Sequence, residues 1–469
     1  MSDEQRPDSL GCYGSRWAAT PHLDQLAREG VLFENAYTPS PVCVPARCSL
    51  LTGRYGSTLD VLHNLQKLRA DTRFLTWHFE RNGYRTASFG KKHYFYPGTR
   101  QAFQTEAGRA IGDLVGALGY QADFSQEAYG AVQYPDTPRK FPGPRRTWIL
   151  GGRFPGPKDQ TAESRNIDLA IDWLSGLAAS GPFFLRLSLN APHTPVVVPE
   201  PFLSSIDPAA IDLPFASETE FSDKPPYEAG MLRDFQGSHV LTHEQILKAR
   251  HYYYARVAFL DSEIGRLVDW MDRRGLLENT IVVFTSDHGA HLGDHGLFQK
   301  QTFYEQVARV PYLFWWRALG RPAARFANPV STLTLLPTLL ELAGIQYAQR
   351  IEAPPLAAAV RDGRPPPPAP VFSEIKFGYQ GYRDDDRLVM VRDGAHKLIV
   401  FQDPHQPERF AGRREGSLYN LLEDPDETKN LFPAHAGSES VTRLRNLITA
   451  WDRRRLRGPE ERTRRRGRR

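Results

Sequence analysis

Three times along this chain a short apolar segment opens directly into a polar run, and this recurrence limits the possible folds more than any other feature. Tyr84 to Phe89 leads into Gly90-Lys91-Lys92-His93, Phe183 to Leu189 into Asn190-Ala191-Pro192-His193, and Ile281 to Thr285 into Ser286-Asp287-His288-Gly289. Each apolar segment has the length of a strand. Longer segments with helical marks lie between them. Thr20-Pro21 opens a stretch with Leu23 and Leu26 on one face and Gly30 at its end; residues 72–82 and 162–179 follow. The box Thr242-x-x-Gln245 starts a helix that runs to about Arg274. Such alternation predicts an α/β fold with a large, mostly parallel central sheet flanked by helices. In open sheets of this kind ligands sit beyond the carboxyl ends of the strands. The three polar runs are therefore predicted to converge.

A fourth segment, Ser40-Pro41-Val42-Cys43-Val44-Pro45-Ala46-Arg47-Cys48-Ser49-Leu50-Leu51-Thr52-Gly53-Arg54, offers a nucleophile. Pro45 suits a first helical turn, where its missing N–H costs nothing, and Leu50 and Leu51 supply an apolar face. Cys43 then precedes a helix N-terminus, where free N–H groups and the dipole favour an anion. Arg47, one turn on, is placed to reach back, fixing the nucleophile or neutralising charge. A buried cysteine beside a proline-started helix fits the bare C-x-P-x-R equally well. Asp287-His288 pairs a hard carboxylate with an imidazole at a strand end, as a metal site or as a simple turn. Asp3-Glu4 alone is only an acidic N-terminus. His291, Asp294 and His295 share the loop after the Asp-His pair and are at most supporting groups.

The bulk composition excludes several classes. With 469 residues the chain is long enough for a large core, and 41% apolar with 24% charged residues is ordinary for a globular enzyme. No run of about 18 apolar residues marks a membrane span, and the opening Met1-Ser2-Asp3-Glu4-Gln5-Arg6 has no signal-peptide pattern. Three cysteines give no disulfide framework and suit a reducing, cytoplasmic setting; Cys12 and Cys48 read as packed residues. The net charge of +5 is misleading, because residues 452–469 carry ten Arg against three acidic residues, a net of +7, leaving −2 for the rest. That tail has too few apolar residues to pack and reads as a disordered basic end rather than a nucleic-acid site.

The residues from Cys43 to Gly53 resemble the sulfatase signature, in which the first cysteine is oxidised to formylglycine by a maturation enzyme. Five further matches follow the family's order. Asp3-Glu4 resembles its first acidic metal pair, with Glu4 standing where Asp is usual, and Asp287-His288 resembles the second pair. Gly90-Lys91-Lys92-His93 is similar to G-K-x-H, Ala191-Pro192-His193-Thr194-Pro195 to A-P-H-x-P, and Gly296 to Lys300 with Tyr304-Glu305 to the segment bearing a second lysine. The resemblance implies an alkaline phosphatase-like fold and hydrolysis of a sulfate ester, carried by a small molecule or a carbohydrate. It implies a divalent metal held by Asp3, Glu4, Cys43, Asp287 and His288. Ca²⁺ is the metal it points to, with Mn²⁺ or Mg²⁺ as alternatives. It gives Lys91 and Lys300 the sulfate oxygens, with Lys300 also a candidate proton donor to the departing oxygen, and leaves Arg47 to fix the nucleophile or neutralise charge. His93 would act on the formylglycine hydroxyl, His193 on the leaving group, and Asn64 would line the pocket. The rivals are a phosphonate or phosphate ester hydrolase of the same superfamily and a non-catalytic relative.

The expected organisation is a catalytic domain over 1–352, a Pro-rich linker over 353–370, an antiparallel C-terminal subdomain over 371–451 and the tail. Residues 94–159 and 207–237, rich in Gly, Pro or polar residues, are expected to be surface excursions. Sulfatases carry an apolar strand just before the position of Asp3. The chain is therefore expected to start upstream of Met1 in its natural form.

Overall fold

The computed structural model describes residues 1–94, 103–107, 151–154, 156–177, 181–194, 196–215, 224–225, 227–228, 242–320, 322–376, 387–402 and 416–456. The elements that build the site are, in chain order, α1 (Pro21–Glu29), β1 (Val31–Phe33), α2 (Cys43–Thr52), α3 (Leu75–Arg81), β2 (Arg85–Gly90), β3 (Thr105–Ala107), α4 (Ala162–Ser175), β4 (Phe183–Ser188), α5 (His243–Arg273), β5 (Ile281–Thr285), β6 (Tyr312–Trp316), β7 (Ala324–Phe326), α6 (Leu335–Leu342) and α7 (Ala357–Asp362). The helix starts follow from their sequences. At α5 the Thr242 hydroxyl accepts from the Gln245 N–H while the Gln245 side chain accepts from the Thr242 N–H, so both groups are satisfied reciprocally. Pro21 opens α1, whose first N–H groups are capped from a distance: His22 and Leu23 donate to the Asp261 carboxylate of α5 at 3.2 and 2.8 Å.

Strand order is β7-β1-β6-β5 on one side and β4-β2-β3 on the other. The N-terminal residues lie between the two: Ser2 bridges Ser286 and Asp3 bridges Pro192, both in parallel sense. Strands β2 and β4 pair in parallel. The polar runs after β2, β4 and β5 therefore leave the sheet at one edge, as the sequence predicts. Strand β6 breaks the parallel pattern, because it runs antiparallel to both β1 and β5, so the sheet is mixed. Alternation along β6 shows why it is central. Leu313 and Trp315 enter the core shared with α1, α4 and α5, while Tyr312 and Phe314 enter the core shared with α2, α6 and α7. At about 1.5–3 kcal/mol for each large apolar side chain buried, such a two-faced strand fixes the layers on both sides.

The C-terminal subdomain is an antiparallel meander of β8 (Val371–Lys376), β9 (Arg387–Asp393), β10 (His396–Gln402) and β11 (Gly416–Asn420), followed by α8 (Glu439–Leu456). One face packs Val389, Val391, Leu398 and Val400 against Val441, Leu444 and Ile448 of α8. The other packs Leu388, Met390, Ile399 and Phe401 against Leu297, Phe303 and Tyr304, in and just after the loop that carries Lys300. Lys397 of β10 reaches across, with its ammonium 2.8 Å from the Phe303 carbonyl, 2.9 Å from Glu305 and 2.6 Å from Glu427.

Two expected boundaries shift. The segment 353–370 is more than a linker: it contains α7, whose Ala357 is buried and whose Ala359 and Val360 enter the α2–α6 core. Helix α8 runs on to Leu456, past the expected start of the tail. Its Asp452 is buried and pairs with Arg387 at 2.6 Å and Arg455 at 2.8 Å. Residues 457–469 and most of the 94–159 and 207–237 excursions lie outside the described residues. Among the described residues no helix is long and apolar enough to cross a membrane.

Candidate active site

Helix α2 begins at Cys43 itself, two residues before Pro45. Proline is tolerated there because the first four N–H groups of a helix have no partner within it. The preceding Val42 offers no side-chain cap. Asn64 supplies one instead, its Oδ1 accepting from the Val44 N–H at 2.9 Å. Asn64, expected only to line the pocket, also fixes the start of the helix that carries Cys43.

The Cys43 sulfur lies 3.2 Å from His288 Nε2, 3.4 Å from Lys300 Nζ, 3.8 Å from Asp3 Oδ1 and 3.9 Å from Lys91 Nζ. Burial alone would raise its thiol. The Lys300, Lys91 and His288 charges overcome that and hold it well below the usual thiol range. Cys48, one turn further along the same helix, is pushed upward by burial. The contrast isolates the cause: positive potential is focused at the helix start.

Arg47 does not touch the sulfur. It is completely buried, donating from Nε to Asp287 at 2.8 Å and lying 3.2 Å from Asp3, with Nη1 on Ser188 Oγ at 2.5 Å. It braces the two acidic loops against each other. Lys91 pairs with Asp3, and Lys300 pairs with Glu4 and lies 3.0 Å from His193 Nε2. Gly90, just before Lys91, has φ +98°, and a Cβ there would stand 2.2 Å from the Ser188 carbonyl. Only glycine lets the loop pass so close to β4.

Asp3, Cys43, Asp287 and His288 place one ligand atom each within 4.8 Å of one another, all buried. His288 Nδ1 lies 2.9 Å from the Gly289 carbonyl, which can only accept, so Nδ1 carries a proton and Nε2 is the nitrogen that faces the cluster, protonated beside the thiolate and able to ligate a cation once it gives that proton up. Burial would lower His288, yet the Asp287 and Cys43 charges raise it to about 9. Burial also tends to raise Asp3, but Lys91, His193 and Arg47 keep it low. Two carboxylates, an imidazole and a nucleophile position, all attracting positive charge, suit a divalent cation. Glu4 stands apart from this set. Its backbone adopts φ +61° and its carboxylate faces Lys300 and, at 3.1 Å, His193.

His93 and His193 take different places. His93 is exposed at the mouth, and burial of its ring with the Lys91 and Arg47 charges lowers it against an opposing pull from Cys43. His193 Nδ1 meets the Thr194 carbonyl at 2.5 Å, which leaves Nε2 facing Lys300 and Glu4. His291, Asp294 and His295 lie behind the site. Arg6 and Arg250 bind Asp294, His291 donates to or accepts from Thr302 at 2.7 Å, and His295 stacks on Tyr304. Sequence reasoning missed Ser188 and Tyr253. The Tyr253 hydroxyl donates to the Glu4 carbonyl at 2.7 Å and accepts from the Arg6 N–H. Ser188, the last residue of β4 before the polar run, had a positional signal; Tyr253, inside Tyr252-Tyr253-Tyr254, reads only as core.

Comparison with known proteins decides the family. The profile described as Sulfatase matches residues 1–345, and one described as N-sulphoglucosamine sulphohydrolase, C-terminal, matches residues 293–454. The chain belongs to the sulfatase family. It is accordingly a sulfuric ester hydrolase. Among similar curated proteins, an arylsulfatase of Clostridium perfringens is 27% identical, covering 96% of this chain and 92% of the relative. An ulvan-active sulfatase of Formosa agariphila is 31% identical over 78% of this chain and 65% of its own. The phosphonate monoester hydrolase of Agrobacterium radiobacter superposes with a TM-score of 0.77, 23% identity and 97% and 95% coverage. A structure solved with its substrate D-glucosamine-2-N,6-O-disulfate gives 0.74, 20% identity and 98% and 97% coverage. At these identities the two structures speak to the fold alone, which is alkaline phosphatase-like.

Proposed function

We propose that the protein hydrolyses a sulfate ester using formylglycine at position 43 and a divalent cation, Ca²⁺ by its oxygen-rich donors. The observation that carries this reading is the convergence of Lys91, Lys300, His288 and the α2 N-terminus on one buried atom. In the mature enzyme Cβ becomes the aldehyde carbon and an oxygen takes the sulfur's place, so the sulfur's contacts mark where the attacking oxygen stands. Hydrated formylglycine supplies the attacking hydroxyl and a second hydroxyl whose deprotonation permits release. Asp3, Asp287 and His288 would hold the cation with position 43, and the cation would supply charge stabilisation to the ester oxygens. Glu4 is the weakest ligand candidate, being engaged by Lys300 and His193.

The remaining work falls to this chain's own side chains. Lys91 and Lys300 are cationic groups beside the nucleophile, suited to the sulfate oxygens. His193, with Nδ1 held by Thr194, presents Nε2 beside Lys300 and delivers a proton to the departing oxygen. His93, near position 43 on the solvent side, takes the proton from the second hydroxyl. Group contributions of this kind are typically ~10² to 10⁴-fold.

Two expected results test the assignment. Asp287→Asn is expected to abolish binding of Ca²⁺ in calorimetric titration, whereas Glu4→Gln weakens it by less than about tenfold. Equal losses would return Glu4 to the ligand set. His193→Ala is expected to slow alkyl sulfates most and activated aryl sulfates least, because only poor leaving groups need the proton. A uniform loss across leaving groups would remove His193 from that role. Lys91 and His93 together favour sulfate over the phosphonate reading, and rates on matched sulfate and phosphonate esters discriminate the two.

A further inference from the structure

The loop 62–68 is tied to three parts of the mouth. Asn64 caps the Val44 N–H beside the nucleophile, the Leu68 N–H donates to the Tyr94 carbonyl next to His93, and the Lys376 N–H donates to the Leu62 carbonyl at 3.2 Å. This puts Lys67 and Lys376 at the rim. Lys67 is half-buried, its ammonium 3.0 Å from the Asn64 carbonyl, and it has no carboxylate partner among the described residues. Lys376, at the end of β8, likewise has none among the described residues. Lys92 differs, being neutralised by Glu106 at 3.0 Å. Both Lys67 and Lys376 act on the His63 imidazole between them, which burial and their charges hold below its ordinary value. Burial lowers Lys67 itself, with Cys48 and Cys43 opposing and Lys91 adding to the shift. The rim therefore carries positive charge beyond that of Lys91 and Lys300, which already serve the sulfate. A partly desolvated ammonium with no carboxylate beside it among the described residues is suited to take an anion.

We propose that Lys67 and Lys376 form a subsite for a second anionic group, carboxylate or sulfate, on the leaving-group side of the substrate. Dianionic sulfate esters are then the preferred class; this rests on the sulfatase reading above.

The test uses the full chain carrying formylglycine and loaded with Ca²⁺. Four esters are compared: phenyl sulfate, 3-carbamoylphenyl sulfate, 3-carboxyphenyl sulfate and phenyl-1,3-disulfate. The expected result is a kcat/KM about tenfold higher for one or both dianions than for the carbamoyl ester at low salt, expressed in KM. The two dianions separate a carboxylate subsite from a sulfate subsite. Lys67→Gln and Lys376→Gln are each expected to raise KM for the preferred dianion about fivefold, with less than a twofold change for phenyl sulfate. Lys67→Arg restores the preference. Equal kcat/KM for carbamoyl and anionic esters would overturn the subsite while leaving the sulfatase reading standing. Equal loss on all four esters in the Gln variants would also overturn it, since that marks a structural role of the loop. Turnover of none of the four, with turnover of a phenyl phosphonate ester, would overturn the sulfatase reading and this proposal together.

Discussion

Replacing Cys43 with alanine is expected to remove turnover by on the order of 10⁴-fold or more, while the protein stays folded. His288, Lys300 and Lys91 all come within 3.9 Å of this atom, the position that the proposed mechanism gives to the nucleophile. The side chain is small and buried at the start of α2, and its loss removes few packing contacts. The fold cost is therefore about 1 kcal/mol, as for other small truncations. In the unaltered protein, co-expressed with a maturation enzyme, mass spectrometry of the tryptic peptide ending at Arg47 is expected to show an aldehyde in place of the thiol. Full activity of the alanine variant would end the formylglycine reading. So would an unmodified thiol in fully active protein.

Arg47→Ala is expected to be the most destabilising single change at the site, costing about 3–5 kcal/mol in metal-free protein. Arg47, Asp3 and Asp287 are all fully buried, and the guanidinium bridges both carboxylates. Removing it strips Asp287 of its guanidinium and leaves Asp3 with Lys91 alone, two buried carboxylates short of one cation. Saturating Ca²⁺ is expected to recover part of the loss, because a cation satisfies the same carboxylates. Urea denaturation with and without chelator measures both quantities. A loss below about 1 kcal/mol without metal would show that Asp3 and Asp287 are held apart by other means.

The parts of the site that were legible in the sequence are those whose chemistry is local. A strand ending in Asp287-His288 or Gly90-Lys91 shows both where it stops and what it presents. Helix α2 announces itself through Pro45 and the two leucines. What stayed hidden depends on partners far away in the chain. Asn64 caps Val44, Ser188 meets Arg47 and Tyr253 holds the Glu4 backbone, and none of these pairings has a sequence pattern. The direction of β6 was hidden for a different reason. Tyr312 to Trp316 is apolar on both faces, so its run reports burial and gives no sign of orientation. In 353–370 the prolines outweighed Leu356-Ala357-Ala358-Ala359-Val360, although that short run packs as α7.

Lys397 belongs to the small C-terminal sheet, yet its ammonium grips the carbonyl of Phe303, three residues beyond Lys300. The four-stranded meander is in this sense an external splint for the loop that carries Lys300. A polar clamp of this kind, closed over by Leu297, Phe303 and Tyr304, transmits slackness as readily as it transmits rigidity. Variation in the outer strands thus has a route to Lys300 and His193, the pair proposed to deliver the proton, without touching either. The C-terminal lobe can evolve as a tuning element for chemistry performed in its larger neighbour.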